Sequence, residues 1–406
     1  MTPRTANNSS VFRSIGLLAT TGALIVGTAV ASQAQEIPAL PEFPITAVGP
    51  EYNPDLPNII VLDTAGTITS SAVTRISYLN YGGENGPANG LQTVVEDLYP
   101  ELAEIANISV VNLAANGYNI GSSGGLTLEK LYVISRTIDA FLADPEVDGL
   151  VLTAGTNVLE EDAYFFDLTI RSPKPVVLTG AMHQYNTFTY DGYTNLFSSI
   201  RLAANGGTTC FGTVVLLNDQ FFAARDVTKT DGYRMDTFGS LLYGPLGVVN
   251  QDNILVMRAP ARVQSCGTDE WATPFDLATI APDAFPPVDI VYTYIQPTTG
   301  PIDGAVAGGA AGIVLAGHGP GGISALQNDA RDAALEAGVV LVSASRTGGQ
   351  GAYETGGGNL INAGDLAPLK ARMLLTIALG FTEDPAVVRE WFATIGEARF
   401  TPYTFQ

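Results

Sequence analysis

The sequence predicts an α/β protein with two successive domains, each built on a parallel β-sheet with helices on its faces. Short apolar runs alternate with segments of helical periodicity, which is typical of buried parallel strands and their crossover helices. The alternation stops at a Pro-bearing stretch, residues 274–287, and starts again beyond it. Of the 406 residues, 46% are hydrophobic and only 15% are charged, which indicates a well-buried globular chain.

A targeting segment is predicted at residues 1–34. Arg4 and Arg13 precede an uncharged run over residues 15–31, and Ser32-Gln33-Ala34 supplies small residues before a cleavage point. These are features of a secretory signal peptide. A membrane anchor is the alternative, although the run is short for a span. Cleavage after Ala34 predicts a periplasmic or secreted protein with no membrane attachment.

The residues after the signal are expected to form a leader, assigned to 35–56. Six prolines lie between residues 35 and 57. Proline lacks a backbone N–H and breaks helices, so the leader is predicted to be an extended or flexible arm that forms neither a helix nor a central strand.

The predicted N-terminal domain, residues 57–270, contains five apolar runs that are typical of buried strands. These are Asn58–Leu62, Ile108–Leu113, Gly149–Thr153, Pro175–Thr179 and Thr213–Asn218. Helical periodicity between them is found at Leu91–Ala106, Leu126–Leu142 and Asn195–Ala204. Alternation of this kind places helices on both faces of a parallel sheet.

A linker over residues 271–287 is expected to lead into a smaller C-terminal domain, residues 288–406. Its predicted strands are Val288–Tyr294, Gly312–Ala316 and Val339–Ser343. Its predicted helices are Ser324–Ala337, Ala367–Leu379 and Pro385–Ile395. The same alternation of strands and helices predicts a second α/β unit.

The charge balance excludes several partners. The chain has 19 Lys and Arg residues against 40 Asp and Glu residues, a net charge of −21. Loss of the signal segment leaves 17 basic residues and a net charge of −23. Nucleic acids and anionic membranes are bound by clustered cations, so neither is expected as a partner. Two His and two Cys are too few for the common zinc sites, and no cofactor is predicted.

The two cysteines, Cys210 and Cys266, leave two alternatives open. Export into an oxidising compartment makes a disulfide between them plausible. Two separate buried thiols are equally compatible with the sequence.

Hydroxyl side chains follow two of the predicted strands. The first strand leads into Thr64-Ala65-Gly66-Thr67, and the third leads into Ala154-Gly155-Thr156-Asn157. Ligands of open α/β sheets bind beyond the carboxyl ends of the strands. A Thr hydroxyl needs a base to act as a nucleophile, and a Lys with suppressed charge, such as Lys229 after the fifth strand, can supply one. Thr and Gly are also common at strand ends without any function.

The same segments resemble, in order, motifs of the bacterial type II L-asparaginase and glutaminase-asparaginase family. Thr64–Ile68 is similar to the family's T-G-G-T-I, Glu160–Phe165 is similar to E-E-T-A-Y-F, and Arg225–Thr230 is identical to R-D-V-T-K-T. Further matches are Lys174–Val177, Gly180–Met182, Tyr243–Gly247 and Lys370–Arg372. The resemblance extends from Leu56 to about Ile395.

The resemblance implies a flavodoxin-like N-terminal domain, a homotetramer with active sites between subunits, and hydrolysis of a small side-chain amide through an acyl-enzyme. Thr67 corresponds to the nucleophile, Thr156 to a second catalytic Thr, and Lys229 to the Lys that assists as base. The family also places a Tyr on a mobile lid. Tyr81 and Tyr78 are the candidates, and Tyr81 is favoured because glycines follow it.

The resemblance also implies the residues that bind substrate. Gly66 and Gly155 lie in the turns whose backbone N–H groups would hold an oxyanion. The family's carboxylate-binding Ser corresponds to Ser122 in one register, whereas a second register places Ala114-Ala115 there and removes it. Ser122 is favoured. Glu354 corresponds to the Glu that a neighbouring subunit contributes.

This sequence departs from the family's motifs at positions where the family binds its substrate. Its H-G-T-D-T appears as Ala154–Val158, so Asn157 replaces the Asp that holds the α-ammonium group of asparagine. A neutral acceptor should bind an ammonium group more weakly than a carboxylate. His183 replaces an Arg, and Pro320 stands among expected Asn positions.

Two functions therefore remain open. The first is a secreted Thr-dependent amidohydrolase acting on asparagine, glutamine or a related amide. The second is an asparaginase-like protein with altered substrate or lost activity that binds a small polar ligand.

Overall fold

The computed structural model describes residues 37–82, 86–120, 126–251, 253–348, 351–352, 360–396 and residue 400. The predicted signal segment lies outside these residues. Within the described ranges, no helix is long and apolar enough to cross a membrane.

Eleven strands lie in the described part of residues 37–256. They are β1 (Ile45–Val48), β2 (Asn58–Asp63), β3 (Asn107–Asn112), β4 (Gly149–Thr153), β5 (Val176–Thr179), β6 (Thr213–Leu217), β7 (Gln220–Ala223), β8 (Thr228–Lys229), β9 (Phe238–Gly239), β10 (Gly247–Val249) and β11 (Ile254–Val256). Nine of them form one sheet in the order β1-β3-β2-β4-β5-β6-β7-β10-β11, and β8 pairs with β9.

The centre of the large sheet is parallel. Strands β3, β2, β4, β5 and β6 are neighbours in that order, which is the second-first-third-fourth-fifth arrangement of a flavodoxin-like sheet. The outer strands β1, β7, β10 and β11 pair antiparallel. The carboxyl ends of β2 and β4 are therefore side by side at one edge of the sheet.

Four helices cover the two faces of this sheet. They are α1 (Leu91–Glu96), α2 (Leu128–Leu142), α3 (Leu159–Thr169) and α4 (Gly192–Asn205). Successive side chains of β2 point to opposite faces. Ile59 and Val61 pack in a core that includes residues of α1 and α4, whereas Ile60 and Leu62 pack in a core that includes residues of α2 and α3. The predicted parallel sheet between two helical layers is confirmed.

A second sheet, with four parallel strands, follows in the C-terminal part. Its strands are β12 (Val288–Tyr292), β13 (Gly312–Gly317), β14 (Val340–Ser345) and β15 (Leu360–Asn362). The accompanying helices are α5 (Gly300–Ala307), α6 (Asn328–Glu336), α7 (Pro368–Phe381) and α8 (Pro385–Trp391). Helix α7 contacts both this sheet and α3, so one apolar core runs from the first unit into the second.

One sequence-based expectation about these elements is wrong. One helix was expected over Leu91–Ala106, but α1 ends at Glu96 and a 3-10 turn, Glu101–Glu104, follows Pro100. Proline has no N–H for the helical ladder, which explains the interruption. In its described part, residues 37–56, the leader forms neither a helix nor a central strand, as expected, and Ile45–Val48 pairs with β3 as an edge strand. Its prolines flank this strand rather than interrupt it.

The two cysteines form a disulfide. The Cα atoms of Cys210 and Cys266 lie 5.6 Å apart, within the usual range for the bond. The indole N–H of Trp271 donates to the carbonyl of Cys210 at 2.8 Å. Of the two alternatives that the sequence left open, the bonded pair is the one observed.

Candidate functional site

The turn after β2 carries Thr67 and is shaped by its own polar side chains. The carboxylate of Asp63, the last residue of β2, accepts a hydrogen bond from the N–H of Ala65 at 2.8 Å. Ala65 and Gly66 have φ values of +66° and +115°. These left-handed conformations turn the chain sharply. Thr67, with 7% of its surface exposed, then begins a 3-10 turn at the carboxyl edge of the sheet.

Gly66 packs against the turn that follows β4. A Cβ atom at Gly66 would lie 3.2 Å from backbone atoms of Ala154 and Gly155. The turns after β2 and β4 are thus in direct backbone contact. This contact brings the turn bearing Thr67 beside the turn bearing Thr156.

The hydroxyl of Thr67 is hydrogen-bonded to a Tyr from the following segment. The hydroxyl oxygens of Thr67 and Tyr81 lie 2.7 Å apart. Tyr81 pairs with Ala72 in an isolated antiparallel bridge, and Gly82 donates to the carbonyl of Ser71 at 3.4 Å. Tyr81 remains 58% exposed. The Tyr81 hydroxyl therefore contacts Thr67 while more than half of the Tyr81 surface faces solvent.

Tyr78, the other lid candidate, has a different neighbour. Its ring lies against that of His183, with the centroids 4.3 Å apart and the planes inclined by 30°. His183 in turn places Nδ1 3.1 Å from the carbonyl oxygen of Thr189. Of the two tyrosines, Tyr81 is the one whose hydroxyl contacts Thr67.

A second polar group lies at the turn after β4. The ammonium nitrogen of Lys229 donates to Oγ1 of Thr156 at 2.9 Å and to Oδ1 of Asn157 at 3.2 Å. Thr156 is buried, with 6% exposure, whereas Asn157 is exposed. A Cβ at Gly180, which follows β5, would lie 2.6 Å from the Ala154 carbonyl oxygen. The next turn along the sheet edge therefore packs closely on this one.

Lys229 is suited to act as a base. Burial lowers the pKa of its ammonium group, and the charges of Glu160 and Asp231 oppose that shift without reversing it. A Lys that loses its proton more readily than a solvated one can accept a proton from a hydroxyl beside it. Thr67 is thus paired with the hydroxyl of Tyr81, and Thr156 is paired with the amine of Lys229.

Two predicted substrate-binding residues, Ser122 and Glu354, lie outside the described residues. Ile120, two positions before Ser122 in the sequence, is described, and its N–H donates to the carbonyl of Thr64 at 3.2 Å. Ala114, from the alternative register, begins a 3-10 turn that follows β3.

Glu160 and Lys370 contact the site, but sequence reasoning gave neither a role. The N–H of Lys229 donates to Oε1 of Glu160 at 3.3 Å. The buried ammonium of Lys370, on α7, donates to the carbonyl oxygens of Glu160 and Ala224, the latter at 2.7 Å. Both residues stand in the motifs that carry the family resemblance. Lys370 follows Glu160 by 210 positions, so no local pattern could connect them.

A cavity of about 910 Å³ lies elsewhere, and none of Thr67, Tyr81, Thr156 or Lys229 lines it. Two of its Arg residues are engaged in ion pairs. Arg225 contacts Asp226 and Arg262 contacts Asp167, each at 2.7 Å. These cations are neutralised by the protein itself. Among the described residues, no group of three or more His, Cys, Asp or Glu could hold a metal ion.

Comparison with known proteins covers most of the chain. Residues 58–262 match the family model "Asparaginase, N-terminal", and residues 287–392 match "Glutaminase/Asparaginase C-terminal domain". L-asparaginase 2 of Bacillus subtilis is 36% identical over 344 residues, which cover 83% of this chain and 86% of that protein. A probable periplasmic L-asparaginase of Haemophilus influenzae is 33% identical over 343 residues, covering 83% and 93%.

A solved structure agrees. The crystal structure of a probable cytoplasmic L-asparaginase from Campylobacter jejuni matches with a TM-score of 0.73 and 31% identity, covering 83% of this chain and 99% of that one. Together with the fold and the polar groups at its sheet edge, these matches define a hydrolase that acts on linear amides. The chain belongs to the asparaginase family, in agreement with the resemblance of its motifs.

Proposed function

We propose that the protein is an exported amidohydrolase. It converts the side-chain amide of asparagine, or of glutamine or a related compound, into a carboxylate and ammonia through an acyl-enzyme. One observation carries the proposal. Two Thr hydroxyls follow neighbouring strands, and each has a partner that can move a proton, Tyr81 for Thr67 and Lys229 for Thr156.

In the first half of the reaction, Oγ1 of Thr67 attacks the amide carbon and forms a C–O bond. The proton of Thr67 passes through the hydroxyl of Tyr81 to the departing nitrogen, which leaves as ammonia when the C–N bond breaks. Backbone N–H groups in the turns at Gly66 and Gly155 stabilise the oxyanion. The product of this half is an ester of Thr67.

In the second half, water attacks the ester carbon. Thr156, hydrogen-bonded to the amine of Lys229, takes the proton of that water and passes it to Lys229. The C–O bond to Thr67 then breaks, the carboxylic acid departs, and the proton held by Lys229 returns through Thr156 to Thr67, which leaves Lys229 neutral again. Thr67 is therefore the nucleophile, and Thr156 acts with Lys229 as the general base.

Asn157 is expected to weaken the preference for substrates that carry an α-ammonium group. Its Oδ1 accepts from Lys229, so its NH₂ group is the part that remains to meet a substrate. An amide donor suits a carbonyl or carboxylate oxygen and cannot balance an α-ammonium charge. We infer that amides without a free α-ammonium group are used better, relative to asparagine, than they would be with a carboxylate at this position.

The remaining features belong to the same proposal. Export removes residues 1–34. The linker 271–287 joins two domains, residues 57–270 and 288–406. The subunits assemble as a tetramer. In that assembly Ser122 and Glu354, the latter from a neighbouring subunit, complete the substrate pocket. The probable periplasmic relative from Haemophilus influenzae supports export, and the ranges of the two family models support the two domains.

Ammonia release tests the proposed function. The wild-type protein and the Thr67→Ala variant are assayed with L-asparagine, D-asparagine, L-glutamine and succinamate. The wild-type protein is expected to release ammonia from at least one of them, and the variant is expected to be inactive on all. A wild-type protein that is no faster than the variant on every amide would contradict the proposal.

A further inference from the structure

The ammonium group of Lys229 has uncharged hydrogen-bond acceptors. Its two partners are the hydroxyl of Thr156 and the amide oxygen of Asn157. A half-buried ammonium without a nearby negative charge is costly, because desolvation is not offset by attraction. The charge of Lys229 must therefore be balanced by a group beyond its direct partners.

Glu160 is placed to do this. It lies in the first turn of α3, four residues after Thr156, and only 7% of its surface is exposed. Its Oε1 accepts the backbone N–H of Lys229 at 3.3 Å. Its Oε2 is buried and has no hydrogen-bond partner among the described residues. A buried carboxylate with an unpartnered oxygen needs nearby cations.

Two cations interact electrostatically with this carboxylate, one from each unit of the fold. Lys229 lies on β8, and Lys370 on α7 donates to the carbonyl of Glu160 itself. Burial lowers the pKa of both lysines, and the negative charge of Glu160 opposes this shift without reversing it. Glu161 is the charged neighbour on the same helix, and it faces Arg372 at 3.7 Å.

Asp231 is the other carboxylate that acts on Lys229, and it is engaged elsewhere. It accepts the N–H groups of Tyr233 and Arg234 and forms an ion pair with the Arg234 guanidinium at 3.2 Å. It also lies in a more solvated position than Glu160. Glu160 is thus the buried charge beside the Lys229–Thr156 pair.

We propose that Glu160 is a positioning residue for hydrolysis of the acyl-enzyme. Its carboxylate balances the charge of Lys229 and, through the Lys229 backbone N–H, holds that lysine beside Thr156. The carbonyl of the same residue receives the Lys370 ammonium, which also binds the Ala224 carbonyl. The C-terminal unit thereby ties together the two segments that carry Thr156 and Lys229. The inference rests on the role of Lys229 as base in the proposed function.

The decisive variant is Glu160→Gln, which keeps the shape of the side chain and an oxygen for the Lys229 N–H but removes the charge. Without that charge the ammonium of Lys229 is less stable, so Lys229 should lose its proton at lower pH. Both the ascending limb of the pH profile for acyl-enzyme hydrolysis, followed in single-turnover experiments, and the titration of Lys229 followed by NMR of labelled lysine should move down by about one pH unit. The value of kcat/KM, which reports acylation by Thr67, should stay unchanged.

Two further variants separate charge from structure. Glu161→Gln removes the adjacent carboxylate, which pairs with Arg372, and should leave both curves in place. Glu160→Asp retains the charge on a shorter side chain, so its titration should follow the wild type even if kcat falls. A wild-type titration of Lys229 in a folded Glu160→Gln protein would overturn the proposal, as would an equal shift in Glu161→Gln.

The two readouts also distinguish this proposal from the proposed function. If Lys229 shifts but no amide is hydrolysed by the wild type, the proposed function fails, and the role of Glu160 in hydrolysis fails with it. If amides are hydrolysed and Lys229 does not shift, only the role of Glu160 is contradicted.

Discussion

The ammonium nitrogen of Lys229 lies 2.9 Å from the hydroxyl oxygen of Thr156, a residue 73 positions earlier in the chain. The contact joins the turn after β4 to the short strand β8. Because burial lowers the pKa of Lys229, its neutral form is reached at a lower pH than in a solvated lysine. A hydroxyl hydrogen-bonded to a neutral amine can act as a general base.

Replacement of Lys229 by Met should remove that base. General-base catalysis contributes about 10²–10⁴-fold, so kcat for ammonia release from L-asparagine should fall by a factor in this range. Lys174→Met is the matched control, since the Lys174 ammonium donates to the Asp144 carbonyl and does not contact the site. A Lys229→Met protein with the kcat of this control would contradict the assignment.

The pH dependence has a defined sign. Lys229 must be neutral to accept a proton, so the rate of acyl-enzyme hydrolysis, and kcat where this step limits turnover, should rise with pH as the ammonium deprotonates. Since burial lowers its pKa, the midpoint of this rise should fall below the ordinary lysine value of about 10.4. A profile that falls with pH over the same range would exclude Lys229 as the base.

The Gly66→Ala variant tests the contact between the two turns. A methyl group would combine a φ of +115° with a distance of 3.2 Å to the backbone of Ala154 and Gly155. We expect a loss of about 1–3 kcal/mol in unfolding free energy. A displacement of Thr67 by about 1 Å could lower kcat by about 10²-fold.

Gly117→Ala is the control for this variant. Gly117 also has a positive φ, +92°, but a Cβ atom at this position would have no atom of the described residues within 4 Å. It should show the conformational cost without the loss of kcat. Equal kcat values for the two variants in the ammonia assay would mean that the contact at Gly66 does not position Thr67.

The disulfide should contribute to stability. Cys210 and Cys266 close a loop with a sequence separation of 56. Replacing both by Ser should lower the unfolding free energy by about 2–4 kcal/mol in urea denaturation. Reducing agent should destabilise the wild type and leave the double variant unaffected. Identical wild-type midpoints with and without reductant would contradict this expectation.

Asn157→Asp should change which amides are used. A carboxylate can bind the α-ammonium of L-asparagine by a charge-assisted hydrogen bond, so KM for L-asparagine should fall by about tenfold. KM for succinamate, which has no α-amino group, should not fall. The ratio of kcat/KM for the two substrates is the measurement. An unchanged or higher KM for L-asparagine would show that residue 157 does not face the α-substituent.

Much of the fold could be predicted from the sequence, because buried parallel strands are continuous apolar runs. Strands β2, β4 and β5 were predicted to within one residue. The antiparallel strands β7, β10 and β11 were missed because each has only three or four residues. The edge strand Ile45–Val48 was missed because prolines surround it.

Some residues of the candidate site could be predicted from the sequence, and others could not. Thr67, Thr156 and Lys229 stand in recognisable motifs, and the choice of Tyr81 over Tyr78 agrees with the hydroxyl contact to Thr67. The link from Lys370 to Glu160 depends on how α7 packs against α3. Such packing is a tertiary property that no local sequence pattern carries.

Mass spectrometry of acid-quenched protein tests most directly whether Thr67 carries the acyl group. The Lys229→Met variant, in which ester hydrolysis is slowed, is mixed with L-asparagine, quenched within the first turnover and digested. The predicted result is a β-aspartyl group on the peptide that contains Thr67, which is absent after Thr67→Ala substitution in the same background. Acylation of another peptide, or an adduct that persists without the Thr67 hydroxyl, would contradict the account.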